Sequence, residues 1–489
     1  MRRLSIALLA ITAALSGCSV GPHYKAPNPA EVKLHQAQPS EFTDAKFDGK
    51  WWGQFDDPVL NGLVDSALHA NWDIEVARAR LAQSRAIFDE RKLDKYPTIS
   101  STASYQQSRE VFPGFTNKPI NIKTYQAGFD ASWELDVFGR VRHQVGAAAA
   151  QDQAFHANLR DVQVSVAAEV ARDYFLLRGA QWRLAVAQRS LVNQQDTLKW
   201  TEVRRDAGVG EEQDVASAAA RVAQTAATIP DINAAILTFQ NRIAVLTSVR
   251  PGELSADLSA REYAPITKAL PIGDPNELLR RRPDVQAAER RLAQATELQG
   301  SAVADLFPHV TFGGFLGFLA GRGDLFFQSD SEAWSIAPSI SWPALDYWRF
   351  KARVRQSSAV TQENYAQYEQ TVLGALEETE NALISYHANQ EKLIKLNDQA
   401  RESKRAADIA RDRYREGVID FLQLLDAERV QLQAEDNLAQ VEGDVFVSVV
   451  TIYKALGGLP EDSQLPGSRN PVVATNAGAK AGSKQGRSE

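Results

Sequence analysis

The chain of 489 residues holds a single cysteine, Cys18, in the stretch LSGCS. One thiol cannot form a disulfide within the chain, so its chemistry must be something else. Arg2 and Arg3 precede an apolar run from Leu4 to Leu15, broken only by Ser5 and Thr12, and small residues follow. That order of charge, apolar core and small residues is an export signal. The run is too short for an ordinary transmembrane helix. No other reactive set is present. The seven histidines are scattered, and there is no H-E-x-x-H, metal-spaced cysteine pair, phosphate-cradling loop or G-x-S-x-G turn. The sequence therefore predicts neither an enzyme nor a metal site, and no cofactor beyond a group carried by Cys18.

Leu15, Ser16 and Gly17 ahead of Cys18 resemble a bacterial lipobox. The resemblance implies removal of residues 1–17 and a covalent lipid on Cys18, on its sulfur and its new amine. Several acyl chains hold a bilayer firmly where a single chain is marginal. By similarity to sorted lipoproteins, Ser19 fits delivery to the outer membrane. The mature chain would have 472 residues, and loss of two arginines takes its formal charge from −7 to −9. That charge argues against a nucleic-acid partner. No later run approaches 18 uninterrupted apolar residues, whereas membrane strands carry too weak a signal per segment to be excluded. Residues 460–489 are polar and rich in Gly, Ser, Asn and Pro, and are expected to be disordered.

The chain is written twice. DIEVARARLAQSRA begins at Asp73 and DVQAAERRLAQATE at Asp284, an offset of 211 that also takes Pro97 to Pro308. Gly208 and Gly417 follow at 209. Ordered matches at nearly constant spacing indicate an internal duplication. We divide the chain into an N-terminal extension (18–56), a first repeat (57–250), a linker (251–274) and a second repeat (275–459).

Each repeat has the same elements. An opening helix is expected over 57–95 and again over 275–305, each begun by Asp-Pro. Next comes a strand pair, near Thr98 and Tyr125 in one half and near His309 and Trp334 in the other. In YQAGFDASWEL, Tyr125, Ala127, Phe129, Ala131, Trp133 and Leu135 share one face while polar residues take the other. WSIAPSISW repeats this with Trp334, Ile336, Pro338, Ile340 and Trp342. These faces fit either a conventional core or lipid. Tryptophans near strand ends fit a bilayer interface.

Two proline-free stretches, 143–205 and 351–416, predict helices of roughly 90 Å each, too long for a compact domain. Returning helices are expected over 211–248, with a bend or repacking at Pro230, and over 420–456. Gly208 and Gly417 supply the left-handed geometry that ends a helix. Four strands cannot close a barrel, and open edges are not tolerated in hydrocarbon. Other copies must complete the wall, in a number that physics alone leaves open.

Several stretches together carry a family resemblance: CSVGPHY, WWGQFDDPVLNGLVDSALHANWDIEVARAR, ELDVFGRVR, DPNELLRRRPDVQAAERRL and EGVIDFLQLLDAERVQLQAE. Over nearly all of 18–459 the sequence resembles the outer-membrane efflux lipoproteins of tripartite resistance-nodulation-division drug pumps, in the wider TolC-like family. The resemblance implies a mixed α/β membrane channel. In it a trimeric twelve-stranded β-barrel, four strands per protomer, continues into a periplasmic α-helical coiled-coil tunnel. It implies a homotrimer that conducts small molecules passively from an inner-membrane efflux transporter and a periplasmic membrane-fusion adaptor.

By the same resemblance the adaptor touches the hairpin tips, here Gly208, Val209 and Gly210, and Gly417, Val418 and Ile419. The family narrows its periplasmic end just beyond the second tip. Asp426 falls on the inner acidic position, while Gln423 stands where some members carry another aspartate. Asp420 and, in the first half, Asp214 are further gate candidates. Three aspartates near a threefold axis would favour cations over anions and raise one another's proton affinity. Helix-start roles for Asp420 and Asp214 are the plainer alternative. A TolC-like protein-secretion channel and a lipid-anchored periplasmic scaffold without a pore are the competing readings of the whole chain.

Overall fold

The computed structural model describes residues 19–458, apart from 28–32, 39, 46–48, 115–117, 265 and 267. The signal segment 1–17, the lipid site Cys18 and the 460–489 tail lie outside the described residues. Strand β1 (Phe42–Thr43) and a 3-10 turn lead into α1 (Pro58–Ala70) and α2 (Trp72–Leu93). Then come β2 (Thr98–Glu110), β3 (Ile120–Leu135), α3 (Arg140–Asp206) and α4 (Glu212–Leu246). The second half follows with β4 (Leu270–Pro271), α5 (Pro275–Arg281), α6 (Pro283–Ala304), β5 (His309–Ala320), β6 (Glu332–Ser341), α7 (Tyr347–Arg415) and α8 (Phe421–Ala455).

The opening helix expected over 57–95 is in fact two helices. Asn71 takes extended backbone, and its side chain accepts from the N–H groups of Asp73 and Ile74. Its amide donates to the Leu246 carbonyl at 2.9 Å, fixing the break against the end of α4. The helix expected over 275–305 breaks 211 residues later, at Arg282. There the following proline biases the backbone to extended and starts α6. Asp57 and Asp274 cap α1 and α5 as expected of Asp-Pro starts. Helix α4 runs continuously through Pro230, which sits on an exposed side.

The strands form one antiparallel sheet in the order β2-β3-β5-β6. Register places Phe129 beside Leu316 and Leu316 beside Trp334; Ala131, Gly314 and Ile336 form the next row. Most of the large apolar residues of these four strands thus share one face, while Phe315, Leu319, Ile120 and Ile122 fall on the other. Among the described residues little covers the apolar face: Trp334 is 73%, Ile336 70% and Ile340 73% exposed. The other face carries Thr102, Asp130, Ser132 and Glu134, with Thr102 donating to Asp130 at 2.5 Å. Within the chain, β2 and β6 each have only one strand neighbour among the described residues.

Helices α3 (67 residues) and α7 (69 residues) are each about 100 Å long. On α7 the buried seam runs through Tyr368, Ala375 and Ala382, and later through Ala400, Ala407 and Tyr414, at sevenfold spacing. Leu383 is fully buried beside this seam, and Leu376 and Leu393 pack at the margin of the core. Small residues allow close helix approach where leucine would hold the rods apart. Near mid-length, a Cβ on Gly443 would lie 3.2 Å from the Gly179 Cα, so α3 and α8 cross backbone to backbone. Aromatic side chains fill the surrounding core. Phe175 stacks on Phe446 with centroids 4.9 Å apart, and Phe55 meets Phe175 at 4.6 Å.

Candidate functional site at the hairpin tips

The two long hairpins turn by the same device. Gly208 and Gly417 both have φ +75°. Gly208 N–H donates to the Arg205 carbonyl and Val209 N–H to that of Arg204. Gly417 and Val418 repeat this with Tyr414 and Arg413. These paired bonds satisfy the last carbonyls of α3 and α7 and reverse the chain. A side chain at 208 or 417 would be strained by the left-handed backbone.

Beneath the turns, Ala218, Tyr414, Phe421 and Leu424 form a small separate core. Ile419 packs against it, so of the six tip residues it faces inward most. Val209 and Val418 are exposed, as is Leu422 nearby. The hairpins are clasped together by Arg204, whose guanidinium lies 4.9 Å over the Tyr414 ring and donates to the Tyr414 carbonyl at 3.3 Å.

The three aspartates occupy different settings. Asp420 is the N-cap of α8, with Oδ1 accepting from Gln423 N–H at 2.9 Å and Oδ2 from the Gln423 amide at 3.3 Å. Both of its oxygens therefore serve the start of the helix. Asp426 lies nearly two turns further on, exposed, and paired with Arg429 at 2.7 Å. Asp420, Gln423 and Asp426 line one cleft with Ser403 and Ala406 of α7. Asp214 stands on the other hairpin, in the first turn of α4. Partial burial pushes its carboxyl above the usual aspartate range, with Glu211 and Asp420 adding to the effect and Arg204 opposing it. Within one chain the first two aspartates are brought together, and Asp214 is joined to Asp420 only through this field.

A polar latch beside the tip went unread in the sequence. Glu428, 5% exposed, accepts from Arg411 Nε at 3.0 Å and from the Thr197 hydroxyl at 3.0 Å. Arg411 also donates to Gln431 at 2.7 Å. The latch ties α3, α7 and α8. Its one sequence signal is spacing: Phe421, Leu424 and Glu428 fall on one buried stripe of α8, and an acid in such a stripe needs a partner.

At the far end of α3, buried His143 bonds Glu297 through Nδ1 at 2.7 Å. Its Nε2 lies 3.0 Å from the Val20 carbonyl and 3.1 Å from the Ser19 hydroxyl. The first described residues are thereby seated at the base of the strands. No group of acidic, histidine or cysteine side chains that could hold a metal ion occurs among the described residues.

Residues 63–248 and 275–458 match the family described as outer membrane efflux protein. The solvent efflux pump outer membrane protein SrpC of Pseudomonas putida is 30% identical over 461 residues, covering 91% of this chain and 96% of its own. The antibiotic efflux pump outer membrane protein ArpC of the same species is 29% identical, covering 93% and 95%. Among solved structures, the outer-membrane channel OprN superposes with a TM-score of 0.88 at 48% identity, covering 90% of this chain and 99% of that one. The open state of the Neisseria gonorrhoeae MtrE channel gives 0.79 at 29%, covering 91% and 100%.

Proposed function

The chain belongs to the outer membrane efflux protein family, and from that premise we propose how its parts divide the work of a channel. It is the outer-membrane component of an efflux pump, a conduit and not an enzyme. Its fold is the trimeric α/β channel of this family, four strands per protomer in the outer membrane and long helices in the periplasm. The observation that carries the reading is the sheet: a mainly apolar face largely open to its surroundings, with a more polar face behind it, set on hairpins about 100 Å long.

The finer assignments are ours. The tunnel receives drugs or other small molecules from a membrane-fusion adaptor and an inner-membrane efflux transporter. Exposed Val209 and Val418, flanked by Gly208, Gly210 and Gly417, offer the adaptor two similar knobs, with Ile419 supporting the second from inside. Asp426 is the gate residue best supported by geometry, because it is exposed and its partner among the described residues is Arg429, an exposed arginine three residues on. Asp420 contributes by capping α8, and Asp214 by the negative field it shares with Asp420. Cys18 carries the lipid anchor.

Reconstituted in a planar bilayer, the protein is expected to form low-conductance, mostly closed pores. Asp426→Ala should raise the open current or alter cation preference. Conductance, selectivity and drug permeability all unchanged would remove Asp426 from the gate. Cys18→Ala should abolish metabolic labelling with radioactive palmitate; retained label would refute the anchor.

A further inference from the structure

A cleft of about 560 Å³ opens between α3, α4 and α8, distinct from the Asp420–Asp426 cleft but adjoining it through Arg429. Its walls have a charge imbalance. Arg183 is held on both sides by Asp436, at 2.8 and 3.1 Å, and is neutralised there. Arg429, also in the wall, is paired with Asp426. Arg221 has no carboxylate partner among the described residues. Its Nη1 donates to the Gln224 side-chain Oε1 at 2.8 Å, and its Nε is buried without an acceptor among the described residues. One turn further along α4, Thr225 is 2% exposed and its hydroxyl is likewise unpartnered. Asp231, the remaining carboxylate of the cleft, is exposed to solvent.

Two donors buried without acceptors in one cleft are uncommon, because each carries the desolvation cost of an unmade bond. Residues four apart lie on the same helix face, so Arg221 and Thr225 present their donors together. Burial, with the nearby Arg429 charge, pushes the Arg221 guanidinium below its ordinary range, while the Glu428 charge acts in the opposite sense. Ile232 and Leu432 add apolar wall to the same cleft.

We propose that this cleft binds a small organic anion, a carboxylate or sulfonate with a short apolar body. The anionic head accepts from Arg221 Nε and the Thr225 hydroxyl, and the body lies against Ile232 and Leu432. Guanidinium suits this role because its planar fork matches two oxygens of one head. The binding donors are distinct from Asp214, Asp420 and Asp426, although the wall residue Arg429 is paired with Asp426.

The test uses the full-length trimer in lipid nanodiscs, with naphthalene-2-sulfonate as probe and empty discs subtracted in isothermal titration. Saturable binding at one probe per protomer is expected. Arg221→Gln should weaken it about tenfold or more, the scale of one lost charged hydrogen bond. Thr225→Val, which keeps the shape, should weaken it several-fold. The neutral 2-naphthalenemethanol should bind far more weakly. Binding indistinguishable from empty discs would overturn the proposal, as would affinity unchanged in both variants. Competition by sodium sulfate at equal affinity would assign the cleft to inorganic anions and overturn the organic ligand.

Discussion

The middle of the helical body and its tips are built from the same four long helices, yet they are held by different forces. At mid-length Phe175 and Phe446 are stacked, Phe55 meets Phe175 edge-on, and Gly179 and Gly443 let the backbones touch. At the tips only Ala218, Tyr414, Phe421 and Leu424 are buried together, and ion pairs and caps do the rest. Apolar burial is proportional to area and cannot be exchanged without exposing that area. A hydrogen-bonded ion pair can be traded for water or for another partner at much smaller net change. The middle is therefore the better-fixed region and the tips the more easily rearranged one, which suits the proposed gate at the tips.

The largest expected effect comes from breaking the better-fixed region. Phe175 is fully buried and touches aromatic rings on several elements. Phe175→Ala should cost about 3–5 kcal/mol, from lost transfer energy and the cavity left behind. A lowered melting temperature of the purified trimer, without a rise in single-channel opening before unfolding, is the expected result. If the variant melts like the parent, the middle is not where the helices are locked.

Next in size is the latch beside the tip. Arg411→Ala leaves Glu428 buried with only the Thr197 hydroxyl and should cost on the order of 3 kcal/mol locally. Here the expected outcome is the reverse of Phe175→Ala: more open current in a planar bilayer with a small change in melting. Replacing the pair together, Arg411→Met with Glu428→Leu, should bring the current back toward the parent, because no charge is left buried alone. Equal currents in parent, single and double variants would show that the latch does not hold the tip closed.

The contrast also explains which parts were legible in the sequence. Strands β3 and β6 were readable because alternation survives in each, as in Tyr125 to Leu135, whereas β2 and β5 alternate less cleanly. The turns were readable because Gly208 and Gly417 meet a local backbone demand. The break at Asn71 was hidden because its decisive bond goes to Leu246, 175 residues away. The α7 seam is hard to read in sequence because alanines at sevenfold spacing carry much of it, and alanine suits exposed helix positions as well. At the site, the sequence already offered a helix-start role for Asp420, and the structure adds that both its oxygens hold Gln423 while Asp426 is paired by Arg429. The Glu428–Thr197 bond and the His143 seat join residues more than 120 positions apart, and no local pattern encodes such pairs.

The smallest effect concerns that seat, which combines a packed floor with a titratable bond. A Cβ on Gly300 would fall 2.5 Å from the His143 ring, and one on Gly139 would fall 2.5 Å from the Ser19 hydroxyl, so both positions are bare to let the segment lie close. Hydrogen bonding to Glu297 holds the His143 imidazole above its ordinary value, with the Val20 carbonyl and the Asp136 charge acting in the same sense and burial opposing them. A raised value in the folded state means stability that is fully present below the unfolded value of about 6.5 and lost as pH rises through the folded one. The first residues after Cys18 should therefore be held most firmly in mild acid and loosen above neutrality. Hydrogen exchange at the Val20 amide, which donates to Phe138, reads this directly once the intrinsic pH dependence is removed. Protection should fall across that window in the parent and stay flat in His143→Gln, which keeps a polar side chain but cannot charge. A parent whose protection is as flat as the variant's would mean that packing around Gly139 and Gly300 seats the segment without help from the proton.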